Sequence, residues 1–300
     1  MSVRGLDRYI LSTRLSSGAI GEVFLARTRG EQGPLVWLKR LHPEVAKTPH
    51  FLRLLQTEAA AGLSFRHANV VPLSQVERSP EGGFITAPLV RGQPLSDVLR
   101  RARVEGSPLA QTMLAWIGAE LADALAAAHR VPWFEGAPSP LVHGSLSPRG
   151  VVIGYDGRIL LTGLGYGRAR ARVQPSIGRM PYVAPEVLSG REMGPRTDIY
   201  SLAVSLHDAF SGRAVYRRPT VEASRQAVLA GNAPPLAPRT LRINPEVGEL
   251  LQQMMAPRVE ARPELMAEVA TRLRAAAGPT AGFDEQLGER VRTLFAEDKE

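Results

Sequence analysis

Residues 15–26 read LSSGAIGEVFLA and residues 35–41 read LVWLKRL. In the first stretch Gly18 and Gly21 stand between two apolar or alternating runs, 9–15 and 21–27. These predict two short strands joined by a glycine turn. The second stretch predicts a third strand after the turn-like GEQG at 30–33. Lys39 sits in that strand. It is one of three lysines, with Lys47 and Lys299, in a chain whose Lys and Arg total 37. A chain that uses arginine almost everywhere has a lysine here, which favours a selected point charge over a generic surface cation.

Working outward, residues 51–65 carry apolar positions at helical spacing (Phe51, Leu54, Leu55, Ala59, Leu63) and predict a helix. Strand-like runs follow at 70–76 and 84–90, and RGQP at 91–94 marks a boundary. Beyond it the character turns helical. Helices are predicted over 113–129, 198–210, 246–255 and 263–277, with two short apolar runs at 151–153 and 159–161. Phe283, Leu287, Val291, Leu294 and Phe295 form an apolar stripe on a short terminal helix. The pattern predicts an α+β bilobal chain: residues 9–92 a small lobe of short strands with one helix, 93–278 a larger, mainly helical lobe, and 279–300 an amphipathic tail.

Composition narrows the function classes. Three hundred residues suit two lobes, and 44% apolar with 22% charged residues is an ordinary globular balance. The absence of cysteine removes disulfides, thiolate metal sites and a cysteine nucleophile. The net charge of +8 raises nucleic acid as a partner. The arginines are spread through the chain, however, with one local run at Arg168, Arg170, Arg172 and Arg179, and a single basic face is what nucleic-acid binding needs. Nucleic acid is therefore disfavoured. The start, MSVRGLDRYI, has no apolar core of a signal peptide, and no run is long enough to span a membrane. A cytoplasmic protein is expected.

Further motifs follow in order. Glu58 lies on the predicted helix ahead of HANVV at 67–71. HGSLSPRGVVI occupies 143–153, TGLG 162–165, GRMPYVAPE 178–186, DIYSL 198–202, and Arg262-Pro263 comes late. Together with the glycine turn and VWLK, these resemble the glycine loop, V-A-I-K, H-P-N-I-V, catalytic loop, D-F-G and A-P-E elements of protein kinases. The chain is similar to the bacterial, eukaryotic-like (Hanks-type) Ser/Thr protein kinases. The resemblance implies the α+β, bilobal protein-kinase-like fold, with a small antiparallel β-sheet lobe bearing one helix and a larger, mainly helical lobe.

Carried over residue by residue, the resemblance splits. The catalytic aspartate falls on Ser145, the catalytic-loop lysine on Ser147, the metal-holding asparagine on Gly150 and the D-F-G aspartate on Gly163. No Asp or Asn lies between His143 and Ile153 to rescue the register. Serine is a poor base at neutral pH, glycine offers no side-chain oxygen, and Mg²⁺ wants carboxylates. A degenerate member, a pseudokinase with no catalytic residues and no metal site, is expected. Other parts survive. The resemblance implies an ion pair between Lys39 and Glu58. It also implies phosphate contacts at Gly18 and Gly21, with Ser16 replacing the first glycine, and adenine contacts at Pro88 and Val90. ATP or ADP without Mg²⁺ is thus a possible ligand, though none is required. Glu186 with Arg262 resembles the pair that ties down the activation segment, and Asp198 the residue that holds the catalytic loop. Gly144 replaces the arginine that reads a phosphorylated activation loop, and Ser176 is the one Ser or Thr between Tyr166 and Met180. Residues 130–142, with Trp133 and Phe134, are longer than the family's usual turn.

Three functions are therefore expected, in falling order. The first is an inert signalling scaffold or allosteric regulator of other proteins. It would present the 168–179 segment, the 130–142 insertion or the terminal helix to partners. The second is a metal-independent nucleotide sensor. The third is residual kinase or other transferase chemistry through Ser145 or His143.

Overall fold

The computed structural model describes residues 5–30, 33–79, 82–134, 136, 139–144, 146–236 and 244–299. Five strands, β1 (Tyr9–Gly18), β2 (Gly21–Thr28), β3 (Leu35–Leu41), β4 (Gln75–Ser79) and β5 (Gly82–Pro88), form one antiparallel sheet in the order β1-β2-β3-β5-β4. Alternation along β3 buries Leu38 and Leu41 on the two faces of the pleat. After the short α1 (Pro43–Ala46), helix α2 (Pro49–Ser64) lays Phe51, Leu52, Leu55 and Ala59 against Leu41, Leu73 and Ile85. Its first residue is a proline, whose missing N–H is no loss at a helix start.

One predicted strand is corrected. Residues 70–73 do not join the sheet, and Ser74 makes only a 2.7 Å bond from its N–H to the Thr86 carbonyl of β5. Val70 makes a single parallel bridge to Leu161, and the Val71 N–H donates to the Leu161 carbonyl at 2.9 Å. Pro72 cannot donate, so the run crosses towards the other lobe and the strand begins only at Gln75.

That second lobe opens with a three-stranded sheet, β6 (Gly92–Pro94), β7 (Val151–Gly154) and β8 (Ile159–Leu161), in that order. Around it lie α3 (Leu95–Val104), α4 (Gln111–Ala128), α5 (Gly167–Arg170), α6 (Pro185–Leu188), α7 (Pro195–Ser211), α8 (Val221–Ala230), α9 (Pro245–Met254), α10 (Met266–Ala277) and α11 (Phe283–Leu294). Alanine-rich α4 is the axle. A Cβ on its Gly118 would lie 2.8 Å from Leu206 of α7, so the small side chains let these helices approach closely. Each large aliphatic buried there, such as Ile117, Leu121 and Leu125, stabilises by about 1.5–3 kcal/mol. Helix α8 escapes periodicity because only Ser224 and Val228 are buried. The helix predicted from 263 starts at Met266, after Pro263.

The terminal stripe is packed on the chain itself. Leu287, Val291, Leu294 and Phe295 join the main core, Phe283 meets Trp116 edge to face, and Arg101 lies over Phe295 with its centre 4.1 Å from the ring centroid. Two glycines permit this seat: a Cβ on Gly288 would stand 2.8 Å from the Gly157 nitrogen. The apolar face of α11 is therefore no free partner surface. No helix among the described residues is long and apolar enough to cross a membrane.

Candidate functional site

The cleft between the lobes receives β3 from above and the loops after α4 and β8 from below. Ser145 lies outside the described residues. Ser147 is buried, and Gly150 closes a short 3-10 turn by donating its N–H to the Ser147 carbonyl at 2.8 Å. Gly163 has φ +86°, a left-handed conformation that favours glycine. His143 is buried, its Nε2 3.0 Å from the Thr162 carbonyl oxygen. Burial first, then the Arg170 cation, push its pKa down to about 3, so it is neutral at pH 7.

The Lys39–Glu58 ion pair implied by the resemblance is absent. Glu58 is fully buried on α2, and its carboxylate accepts the N–H of Arg168 at 2.9 and 3.1 Å and that of Ala169 at 3.3 Å. It caps the start of α5, where free N–H groups and the helix dipole favour an anion. Burial nevertheless pushes its pKa up to about 7, against the two N–H groups that favour the charge. Helix α2 is held over this segment by Gly62 against Gly165, where a Cβ on either would come within 2.8 Å of the other's Cα.

Lys39 instead faces aromatic rings. Its Nζ lies 5.2 Å from the Trp37 centroid and 5.3 Å from that of Tyr166. Burial lowers the Lys39 pKa, and the nearby Arg170 and Arg179 lower it further against the Tyr166 oxygen. Burial alone would raise the Tyr166 phenol, but Lys39, Arg170 and Arg179 overcome it and hold the pKa below its ordinary value. A Cβ at position 163 would lie 2.9 Å from the Tyr166 hydroxyl and 3.6 Å from Arg170 Nη1. Phenol and guanidinium thus crowd the space of the D-F-G carboxylate. These residues do not fit Mg²⁺: Gly150 and Gly163 bring no side-chain oxygen, and a cation stands beside the second. Among the described residues no cluster of His, Asp or Glu is placed to hold a metal.

Two cavities flank this wall. The hinge-side one, about 450 Å³, is lined by Pro88, Val90, Trp37 and Tyr166 but not by Lys39. The other, about 360 Å³, is lined by Lys39 but by neither aromatic. Trp37 packs with Val71, Ala87, Val90 and Leu160 at the hinge, where the V-A-I-K alanine would leave room. The glycine turn is folded down. Gly18 pairs with Gly21, Ile20 between them is 3% exposed within the buried cluster that includes Tyr166, and His42 holds the turn at 2.9–3.0 Å through the Gly18 and Ile20 carbonyls. Sequence reasoning passed over Trp37 and Tyr166. The signal for Trp37 was present: the largest side chain at the place of an alanine.

The scaffold residues sit as the resemblance implies. Asp198 accepts the N–H of His143 at 2.8 Å and of Gly144 at 2.7 Å, and lies 2.9 Å from His129 Nε2. Burial opposes its charge, but these donors and the histidines keep its pKa below the usual carboxylate value. Arg262 and Glu186 form a two-pronged pair, both contacts 2.9 Å and both residues buried.

Arg168 ties the insertion down. Its guanidinium lies over Trp133, 5.0 Å from the centroid, and donates to Ser139 Oγ at 2.9 Å and the Pro140 carbonyl at 3.3 Å. Trp133 is thus engaged within the chain, and Phe134 stays 38% exposed. Glu135, Ala137 and Pro138 of the insertion lie outside the described residues.

Comparison with known proteins agrees with the bilobal fold. The family model "Protein kinase domain" matches residues 9–272. The chain is 27% identical over 263 residues to the tyrosine-protein kinase MasK of Myxococcus xanthus, covering 85% of this chain and 40% of that one. It is 27% identical over 255 residues to the serine/threonine-protein kinase PknA of Mycobacterium tuberculosis, covering 82% and 56%. It thus spans about half the length of these curated relatives or less. The crystal structure of the Mycobacterium tuberculosis PknI kinase domain superposes with a TM-score of 0.68 at 24% identity, covering 90% of this chain and 96% of that one.

Proposed function

The chain belongs to the protein kinase domain family, and within it we propose that this is a catalytically inert member, a pseudokinase that acts as a signalling scaffold or allosteric regulator by binding other proteins. The observation that supports the reading is the wall inside the cleft. The Tyr166 hydroxyl and Arg170 crowd position 163, while Lys39 faces Tyr166 and Glu58 is engaged by α5. A general base contributes roughly 10²–10⁴ in rate, and metal stabilisation of the moving charge several kcal/mol more. A cleft that offers neither retains little of a turnover that is about 1–100 s⁻¹ in kinases. Meanwhile the buried Glu186–Arg262 pair and the Asp198 clamp keep the lobe's shape.

A second reading, a nucleotide sensor that needs no metal, is favoured by the hinge-side cavity. There Pro88 and Val90 line the hinge, with Leu15, Ser16 and Val23 of the small lobe across from them, while Gly18 lines the other cavity. The test is transfer of label from γ-labelled ATP to a generic protein substrate, alongside thermal unfolding with ATP in Mg²⁺ or EDTA. No transfer and no shift is the outcome expected of the scaffold. Transfer, or a Mg²⁺-dependent shift, overturns it, and a shift that EDTA leaves intact selects the sensor.

A further inference from the structure

The cavity on the far side of Tyr166 has a charge pattern that the inert-scaffold reading does not use. Among its described lining residues are five cations, Lys39, Arg170, Arg172, Arg179 and Arg225, against one carboxylate, Glu222. Glu222, its side chain 66% exposed, pairs with Arg225 at 3.5 Å, and Arg225 also donates to the Leu188 carbonyl at 3.4 Å. The remaining wall includes Gly18, Ala19 and Ile20 of the glycine turn, Gln174, and apolar residues such as Met180 and Val183. We propose that this cavity binds the phosphate of a phosphorylated side chain on a partner protein, without a divalent ion. The inference rests on the reading of the chain as a binding module and supplies the partner's chemistry.

Three observations carry it. First, the cations converge from separate elements: Lys39 from β3, Arg170 from α5, Arg172 and Arg179 from the segment after it, and Arg225 from α8. These cations stand close enough to repel one another: after burial, Arg170 lowers the Arg179 pKa, and Arg170 and Arg179 lower that of Lys39. A dianion placed among them relieves that repulsion, and guanidinium forks match phosphate oxygens in pairs. Second, the volume of about 360 Å³ accommodates a phosphorylated side chain. Third, the cavity is bounded by the activation segment and α8, away from the hinge. A nucleotide seated at Pro88 and Val90 meets Trp37 and Tyr166 first, because those rings line the hinge-side cavity and Lys39 does not.

The test uses the full chain after phosphatase treatment. A fluorescent degenerate peptide pool carrying one phosphoserine is compared with the same pool carrying serine, in EDTA, by anisotropy. The phosphoserine pool is expected to bind at least about tenfold more tightly. Arg172→Gln, whose side chain is exposed, should remove much of that preference without lowering the unfolding midpoint; Arg225→Gln, which also gives up a 3.4 Å bond to the Leu188 carbonyl, should do the same and is compared at temperatures below its own midpoint. Arg170→Gln is the stronger variant, but Arg170 also donates to the His143 carbonyl at 2.8 Å and its loss risks the fold. Equal binding of the two pools overturns the inference, as does a preference that survives in the Arg172→Gln, Arg225→Gln double variant. Displacement of the pool by ATP in EDTA at lower concentration than by free phosphoserine also overturns it, and makes the cavity a polyphosphate site. Label transfer by the same preparation would defeat the inert reading and leave the pool comparison standing. Lost discrimination without transfer would defeat this inference alone.

Discussion

The Tyr166 hydroxyl stands 2.9 Å from where a Cβ on Gly163 would be, so the two positions are sterically linked. Gly163→Asp is expected to lower stability, from the left-handed backbone (about 1–2 kcal/mol) and from the collision with the phenol. In a Tyr166→Ala background the same change should cost less. A double-mutant cycle by urea unfolding reads the difference; strict additivity would mean the two side chains do not compete.

Glu58 makes stability depend on pH in a defined direction. Its carboxyl titrates near 4.5 unfolded and at about 7 folded. Between those values the native chain holds a proton that the unfolded chain has lost, so stability falls as pH rises through the window. The whole effect is of order 3 kcal/mol. His143, held at about 3, acts oppositely below 6.5, and Asp208, raised to about 6, acts with Glu58. Glu58→Gln isolates the contribution of this carboxyl. Relative to the variant, the native protein should lose stability from pH 5 to 8, and parallel profiles would contradict the placement of this carboxyl.

Arg262→Ala leaves Glu186 buried and charged without its partner. A loss of about 3–5 kcal/mol is expected in chemical unfolding. A loss under 1 kcal/mol would show that the pair contributes only shape.

Trp37→Ala should open the hinge-side cavity. ATP in EDTA is expected to raise the melting temperature of this variant more than that of the parent, because the indole packed with Val71, Ala87 and Leu160 no longer fills the space. An equal response of the two proteins would mean Trp37 does not limit access.

Gly288→Val places a side chain where the Gly157 nitrogen is already within 2.8 Å of a Cβ. It should unseat α11 and expose Leu287, Val291 and Leu294, seen as earlier proteolysis near residues 280–295 and a lower melting temperature. Unchanged proteolysis would place the helix elsewhere in solution.

The motifs that name the fold were legible because each is a chemical need at a fixed spacing: Asp198 under two N–H groups, Glu186 against Arg262, a lysine on the third strand. The substitutions expected at Ser147, Gly150 and Gly163 rest on the same spacing. The partner of Glu58 was not legible. Spacing puts Lys39 on β3 and Glu58 on α2, but it does not say that residues 167–170, GRAR, form a short helix whose N–H groups take the carboxylate first. Nor does it say which way the Tyr166 ring turns, since its place depends on three cations that only the folded activation segment collects. The strand expected at 70–76 failed on Pro72, whose lack of a donor sequence periodicity does not weigh.

Arg168 joins three things at one residue: its N–H holds Glu58 of α2, its guanidinium covers Trp133, and the same group reaches Ser139 and Pro140. The insertion and the small lobe's helix are thereby geared together. The residue that anchors the insertion is therefore also the one whose N–H satisfies the buried carboxylate of α2.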